Sequence, residues 1–82
     1  MALTTGAQLR AARALAGIEQ DQLAEAAGVS ANTISRIERI RGEFGAHVDT
    51  VRRLQRALEE AGVEFLDGDR PGVRMRSPTA AA

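Results

Sequence analysis

Gln20-Asp21-Gln22-Leu23-Ala24-Glu25-Ala26-Ala27-Gly28-Val29-Ser30-Ala31-Asn32-Thr33-Ile34-Ser35-Arg36-Ile37-Glu38 is the stretch whose reading decides the fold. It reads as two short helices joined at a glycine, the geometry of a helix-turn-helix. Leu23, Ala24 and Ala27 fall on one face of the first helix. Gly28 supplies a residue free to take positive φ and so ends that helix without a Cβ clash. Val29 is apolar and suits the corner. Ser30 suits the N-cap of the second helix, accepting a backbone N–H bond. Ile34 and Ile37 repeat on one side, which turns Ala31, Asn32, Ser35 and Arg36 outward. That outward face fits base edges in a DNA major groove. It fits equally the solvated side of an ordinary helical hairpin, and periodicity alone does not separate the two.

Composition narrows the surroundings of this unit. With 82 residues the chain has room for one domain and a modest core. Its hydrophobic fraction of 44 % holds two Phe and no Trp or Tyr, so the expected core is one of small, closely packed helices. Cysteine is absent, which removes disulfides and thiolate metal sites. His47 alone cannot build a metal site, and no cofactor is expected. No apolar run approaches the roughly 20 residues needed to span a bilayer. The start Met1-Ala2-Leu3-Thr4-Thr5 lacks the basic and apolar regions of a signal peptide, so a cytoplasmic, nucleoid-associated protein is expected.

Eleven basic residues, all of them arginine, balance eleven acids. Nucleic-acid binders are often strongly basic, but distribution matters more than the sum. Arg36, Arg39 and Arg41 gather at the end of the third helix, whereas Glu59, Glu60, Glu64, Asp67 and Asp69 gather elsewhere. A near-neutral domain binds DNA weakly by itself, which makes dimerisation more necessary.

Outside the central stretch, a first helix is expected over about Gly6 to Ala16. Thr5 and Gln8 fit a capping box, Leu9, Ala12 and Ala16 form the apolar stripe, Leu15 extends it, and Gly17 stops the helix. The second helix starts near Gln20 or Asp21, and the third covers about Ala31 to Ile40. Phe44, between Gly42 and Gly45, is expected to anchor a loop in the core, and His47 to stand at the entrance to the fourth helix. That helix, Val48 to Ala61, is strongly periodic: Val48, Val51, Leu54, Leu58 and Ala61 recur at spacings of three and four. The period then changes. Val63-Glu64-Phe65-Leu66 and Val73-Arg74-Met75-Arg76 read as short strands around a turn-rich loop. Such a hairpin is marginal alone, so either Phe65 and Met75 pack on the helices or an edge strand pairs with a second copy of the chain. The domain reading is therefore 1–62 for the DNA-binding unit, 63–76 for a strand pair serving dimerisation through Phe65, Val73 and Met75, and 77–82 for a disordered tail.

From about Ala7 to Ala61 the chain resembles the phage-repressor/Cro-like (XRE) family of helix-turn-helix DNA-binding proteins. The resemblance is carried by Gln20, Leu23-Ala24, Gly28-Val29-Ser30, Thr33-Ile34-Ser35-Arg36-Ile37-Glu38 and Thr50 before Leu54. It implies a mainly α, compact four- to five-helix repressor-like bundle, here with a short C-terminal β-hairpin in place of the usual last helix. It also implies that Ala31, Asn32, Ser35 and Arg36 lie nearest the bases, where Asn can bond adenine and Arg can bond guanine. Gln20 resembles the family's phosphate-contacting glutamine, and Ser30, Thr33, Arg39 and Arg41 are candidates for further backbone contacts. Glu19 departs from the small hydroxylic residue common at its position. Arg13 and Glu38 are implied to join the first and third helices by a salt bridge.

The reading is thus a sequence-specific transcriptional regulator, a homodimer on a palindromic operator in double-stranded DNA. The alternative is an antitoxin or protein-interaction adaptor with secondary DNA binding, which would bring a protein partner. Enzymatic activity is not expected, for the chain shows no nucleophile–base constellation, ligand cluster or phosphate-binding glycine loop.

Overall fold

The computed structural model describes residues 2–42, 48–66 and 69–76. Four helices and one hairpin follow in order: α1 (Gly6–Ala16), α2 (Gln20–Ala27), α3 (Ala31–Glu38), α4 (Val48–Glu60), β1 (Val63–Leu66) and β2 (Gly72–Met75). The fold is mainly α, with the helix-turn-helix formed by α2 and α3. Phe44, His47, the loop residues 67–68 and the tail 77–82 lie outside the described residues.

Local chemistry sets the helix boundaries. At the start of α1 the Thr5 side chain accepts the Gln8 N–H at 3.1 Å, and Gln8 Oε1 accepts the Thr5 N–H at 3.1 Å, closing a capping box. At the start of α2 the Glu19 N–H donates to Gln22 Oε1 at 2.7 Å. Gly28 ends α2 at φ 73°, a conformation that side chains with a Cβ adopt at a cost. In that turn the N–H groups of both Gly28 and Val29 reach the Ala24 carbonyl, at 2.9 and 3.1 Å. Val29 packs against the core, and Ser30 then opens α3.

One core serves helices and hairpin alike. Leu3, Leu9, Leu23, Ile34, Leu54, Leu58 and Val63 are sealed from solvent, with Ala12, Ile37, Val51 and Phe65 completing the cluster. Burying each large aliphatic side chain contributes about 1.5–3 kcal/mol. The apolar stripes outrun this core at several points. Val48 and Ala61, expected at the two ends of the α4 stripe, are exposed, because the packing partners end at Val51 and Leu58. Leu15 is exposed too, one position off the α1 face that carries Leu9 and Ala12. Four boundaries also differ from the reading of the sequence. The third helix ends at Glu38 rather than Ile40, α4 ends at Glu60 rather than Ala61, and β2 runs from Gly72 to Met75 rather than from Val73 to Arg76.

The strands are antiparallel, with Val63 opposite Met75, Glu64 opposite Arg74, Phe65 opposite Val73 and Leu66 opposite Gly72. Alternation puts Val63 and Phe65 on the side facing the helices. Glu64 and Arg74 pair on the opposite side, at 3.0 and 3.1 Å. The Arg74 guanidinium there holds the Glu64 carboxyl below the usual carboxylate range.

A two-stranded sheet is marginal without outside support, and Gln8 supplies much of it. Its buried amide nitrogen lies 3.0, 3.2 and 3.1 Å from the carbonyls of Ala2, Leu66 and Gly72, its two hydrogens shared among the three acceptors. Its amide oxygen accepts the N–H groups of Thr4 and Thr5. One side chain so links the segment before α1, the start of α1 and both strands. Gln55 on α4 adds to this by accepting the Leu3 N–H at 3.0 Å.

Candidate nucleic-acid interface

Two contacts fix the back of α3. The first is a carboxylate shared by three helices. Glu38, 4 % exposed, accepts Arg13 Nε on Oε2 at 2.6 Å and Arg13 Nη2 on Oε1 at 3.0 Å. The same Oε1 accepts Gln20 Nε2 at 3.0 Å, and Arg13 Nη1 donates to the Ile18 carbonyl at 3.2 Å. Planar guanidinium and carboxylate meet fork to fork here, the strongest geometry open to such a pair. Hydrogen bonding to Glu38 raises the Arg13 pKa against the opposing effect of burial. The structure therefore brings Arg13, Gln20 and Glu38 into one cluster linking α1, α2 and α3.

The second contact is steric. A Cβ placed on Gly6 would stand 2.7 Å from the carbonyl oxygens of both Ile37 and Glu38. The first residue of α1 is thus pressed against the C-terminal turn of α3 at a distance only glycine allows.

The opposite side of α3 is open. Asn32 and Arg36 are exposed, while Ala31, Thr33 and Ser35 are half-buried. Among the described residues, neither Asn32 nor Arg36 has a side-chain hydrogen bond or ion pair within the chain. Ser30 and Thr33 are joined differently: Ser30 Oγ accepts the Thr33 N–H at 3.0 Å and lies 2.8 Å from Thr33 Oγ1. The two hydroxyls share one hydrogen, which leaves one O–H between them to donate outward. Arg39 caps the C-terminal end of α3, and both it and Arg41 are exposed. Arg53 on α4 reaches back toward the turn, with Nη1 3.5 Å from the Gly28 carbonyl and Nε 3.3 Å from Asp49.

The three residues read as dimer contacts have unequal exposure. Phe65 is 8 % exposed and belongs to the core of the single chain, and Val73 is half-buried against that core. Met75, at 44 %, is the one of the three with substantial surface left for a partner. Sequence reasoning did not single out Gly6 or Gln55. It read Gln8 only as the local half of a capping box, since its other acceptors lie up to 64 residues away along the chain.

Among the described residues no group of three or more His, Cys, Asp or Glu is arranged to hold a metal ion. No helix among them is long and apolar enough to cross a membrane. Residues 5–66 match a protein-family model described as a helix-turn-helix domain. Comparison with curated proteins gave no match. The match runs from the Thr5 cap through the end of β1 and takes in both helices of the turn, all of α4 and the arginine–glutamate cluster. It supports a DNA-binding regulator in general, and on this evidence the chain belongs to the helix-turn-helix domain family.

Proposed function

We propose that this protein is a sequence-specific transcriptional regulator of the Cro/C1-type (XRE) class, reading operator DNA through α3. The observation that carries the reading is the contrast between the two sides of that helix. Its back is locked by Gly6 and by the Arg13–Glu38–Gln20 cluster, while Asn32 and Arg36 on its outer side have no partner among the described residues. A helix held rigidly with donors unused is suited to base edges. Asn offers a bidentate match to adenine and Arg to guanine, each worth about 1–3 kcal/mol of discrimination. Ser30, Thr33, Arg39 and Arg41 serve the backbone on either side.

Selection of duplexes from a random library tests this directly. The wild-type protein is expected to enrich one motif, and Asn32→Ala and Arg36→Ala each to relax it at a different base pair. Failure of the folded wild type to enrich any motif at low salt would remove the reading.

The regulator acts as a homodimer, with two recognition helices about 34 Å apart on a palindromic site. The net charge of zero fits this, since a near-neutral domain lacks the long-range attraction of a basic one and a second copy doubles the contacts. The contact includes Met75, the exposed apolar residue of the hairpin. Removing the hairpin is a poor test, because Val63 and Phe65 would leave the core with it. Met75→Glu is the cleaner variant. It is expected to shift sedimentation from dimer to monomer with little change in melting temperature, and a dimer that persists would move the contact elsewhere.

A further inference from the structure

Arginines from two parts of the fold line one groove. Between the first turns of α1 and the C-terminal end of α3 lies an open cleft of about 530 Å³, bounded by Thr5, Arg10, Glu38, Arg39 and Arg41 among others. Arg10, Arg39 and Arg41 are exposed and, among the described residues, have no carboxylate within ion-pair distance. By contrast, Arg13, Arg53, Arg56 and Arg74 each have one. Among the described residues Glu38 is the one acid on the lining, and it is 4 % exposed with both oxygens engaged by Arg13 and Gln20. Its charge is matched before any ligand arrives.

The groove continues the outer side of α3. Asn32, Arg36 and Arg39 follow at spacings of four and three, which stacks them in one stripe along the helix. The stripe starts at the turn and ends in the groove, where Arg10 from α1 meets it. Three guanidinium groups around one cleft, none paired with a carboxylate among the described residues, match a phosphodiester, which an arginine can hold bidentately.

We infer that this groove seats a phosphate of the DNA backbone flanking the base-read segment, with Arg10 as a contact contributed from outside the helix-turn-helix. The inference rests on the DNA-binding reading above and adds α1 to the surface that meets DNA. It also gathers three arginines of a protein of zero net charge at one place on its surface.

The test uses the full chain and the duplex enriched by selection, with affinity measured across a salt series. Neutralising one phosphate contributes about 0.9 to the slope of log K against log salt. Arg10→Ala is expected to weaken binding severalfold at every operator variant, lower the slope by about one and leave the preferred motif unchanged. Arg10→Lys is expected to keep the slope while losing part of the affinity. Unchanged affinity and slope in Arg10→Ala, with motif changes still seen in Asn32→Ala and Arg36→Ala, would overturn the groove and leave base reading standing. A wild type that binds no duplex would overturn both. Equal melting temperatures for wild type and both Arg10 variants exclude a folding effect.

Discussion

Arg13→Ala is expected to lower the unfolding free energy by about 3–5 kcal/mol, the range for breaking a buried ion pair from one side. The size follows from what remains. Glu38, buried in the wild type, would be left with one neutral partner, the Gln20 amide at 3.0 Å. A domain this small has a total stability near the low end of about 5–15 kcal/mol, so the variant would be largely unfolded at moderate temperature. Glu38→Ala is expected to be milder, at about 1–3 kcal/mol. The guanidinium it strands is already 18 % exposed and can turn toward water. Urea unfolding of both single variants and the double variant gives the coupling between them. A loss under about 1 kcal/mol in Arg13→Ala would mean that the pair behaves as an exposed one.

The pair also has a defined pH range. Arg13 has a raised pKa in the folded chain, so its contribution is fully present below the ordinary arginine range and is lost only as pH rises through the raised value. Arginine titration therefore leaves the pair intact throughout neutral pH. Where the Glu38→Ala variant is still folded, weaker operator binding is expected, because α3 loses its tie to both other helices.

Gly6→Ala is the second large effect, and two physical arguments oppose each other there. In a helix interior, alanine is favoured over glycine by about 1 kcal/mol. Packing points the other way, for the added methyl would meet two carbonyl oxygens at 2.7 Å and the Glu38 carbonyl carbon at 2.9 Å. All three are backbone atoms, so no rotamer change relieves the contact, and α1 must move away from α3. Overpacking costs about 1–3 kcal/mol and occasionally more. With three backbone contacts under 3.0 Å the cost lies at the upper end, and the expected outcome is a net loss of about 1–2 kcal/mol, seen as a lower melting temperature together with weaker operator binding. A melting temperature equal to or above that of wild type would show that the two helices separate at no cost.

The contrast between these sites and the rest of the chain shows what the sequence makes legible. Thr5 with Gln8, Gly28 and Ser30 act within a few residues, so helix starts and the turn can be read from local order alone. The alternation around Val63 and Phe65 likewise identifies a strand with one buried side. Periodicity does not say where a core ends, which is why Val48, Ala61 and Leu15 read as part of buried stripes and stand in solvent. Nor does it announce close approach. Gly6 looks like an unremarked helix start until the carbonyls of Ile37 and Glu38 are placed beside it. For the candidate interface, the outer residues of α3 were legible from their spacing, whereas the meeting of Arg10 with Arg39 and Arg41 depends on how α1 crosses α3. The arginine–glutamate pair came from resemblance, since nothing local links positions 25 residues apart.

Gln20 gives the cluster a mechanical meaning. A primary amide carries two hydrogens on its nitrogen, and one of them is directed to Glu38. If the second is given to a DNA phosphate, the phosphate, Gln20, Glu38 and Arg13 form one continuous train from the duplex to α1. A phosphate held there would be joined, through hydrogen bonds alone, to the residue that closes α3.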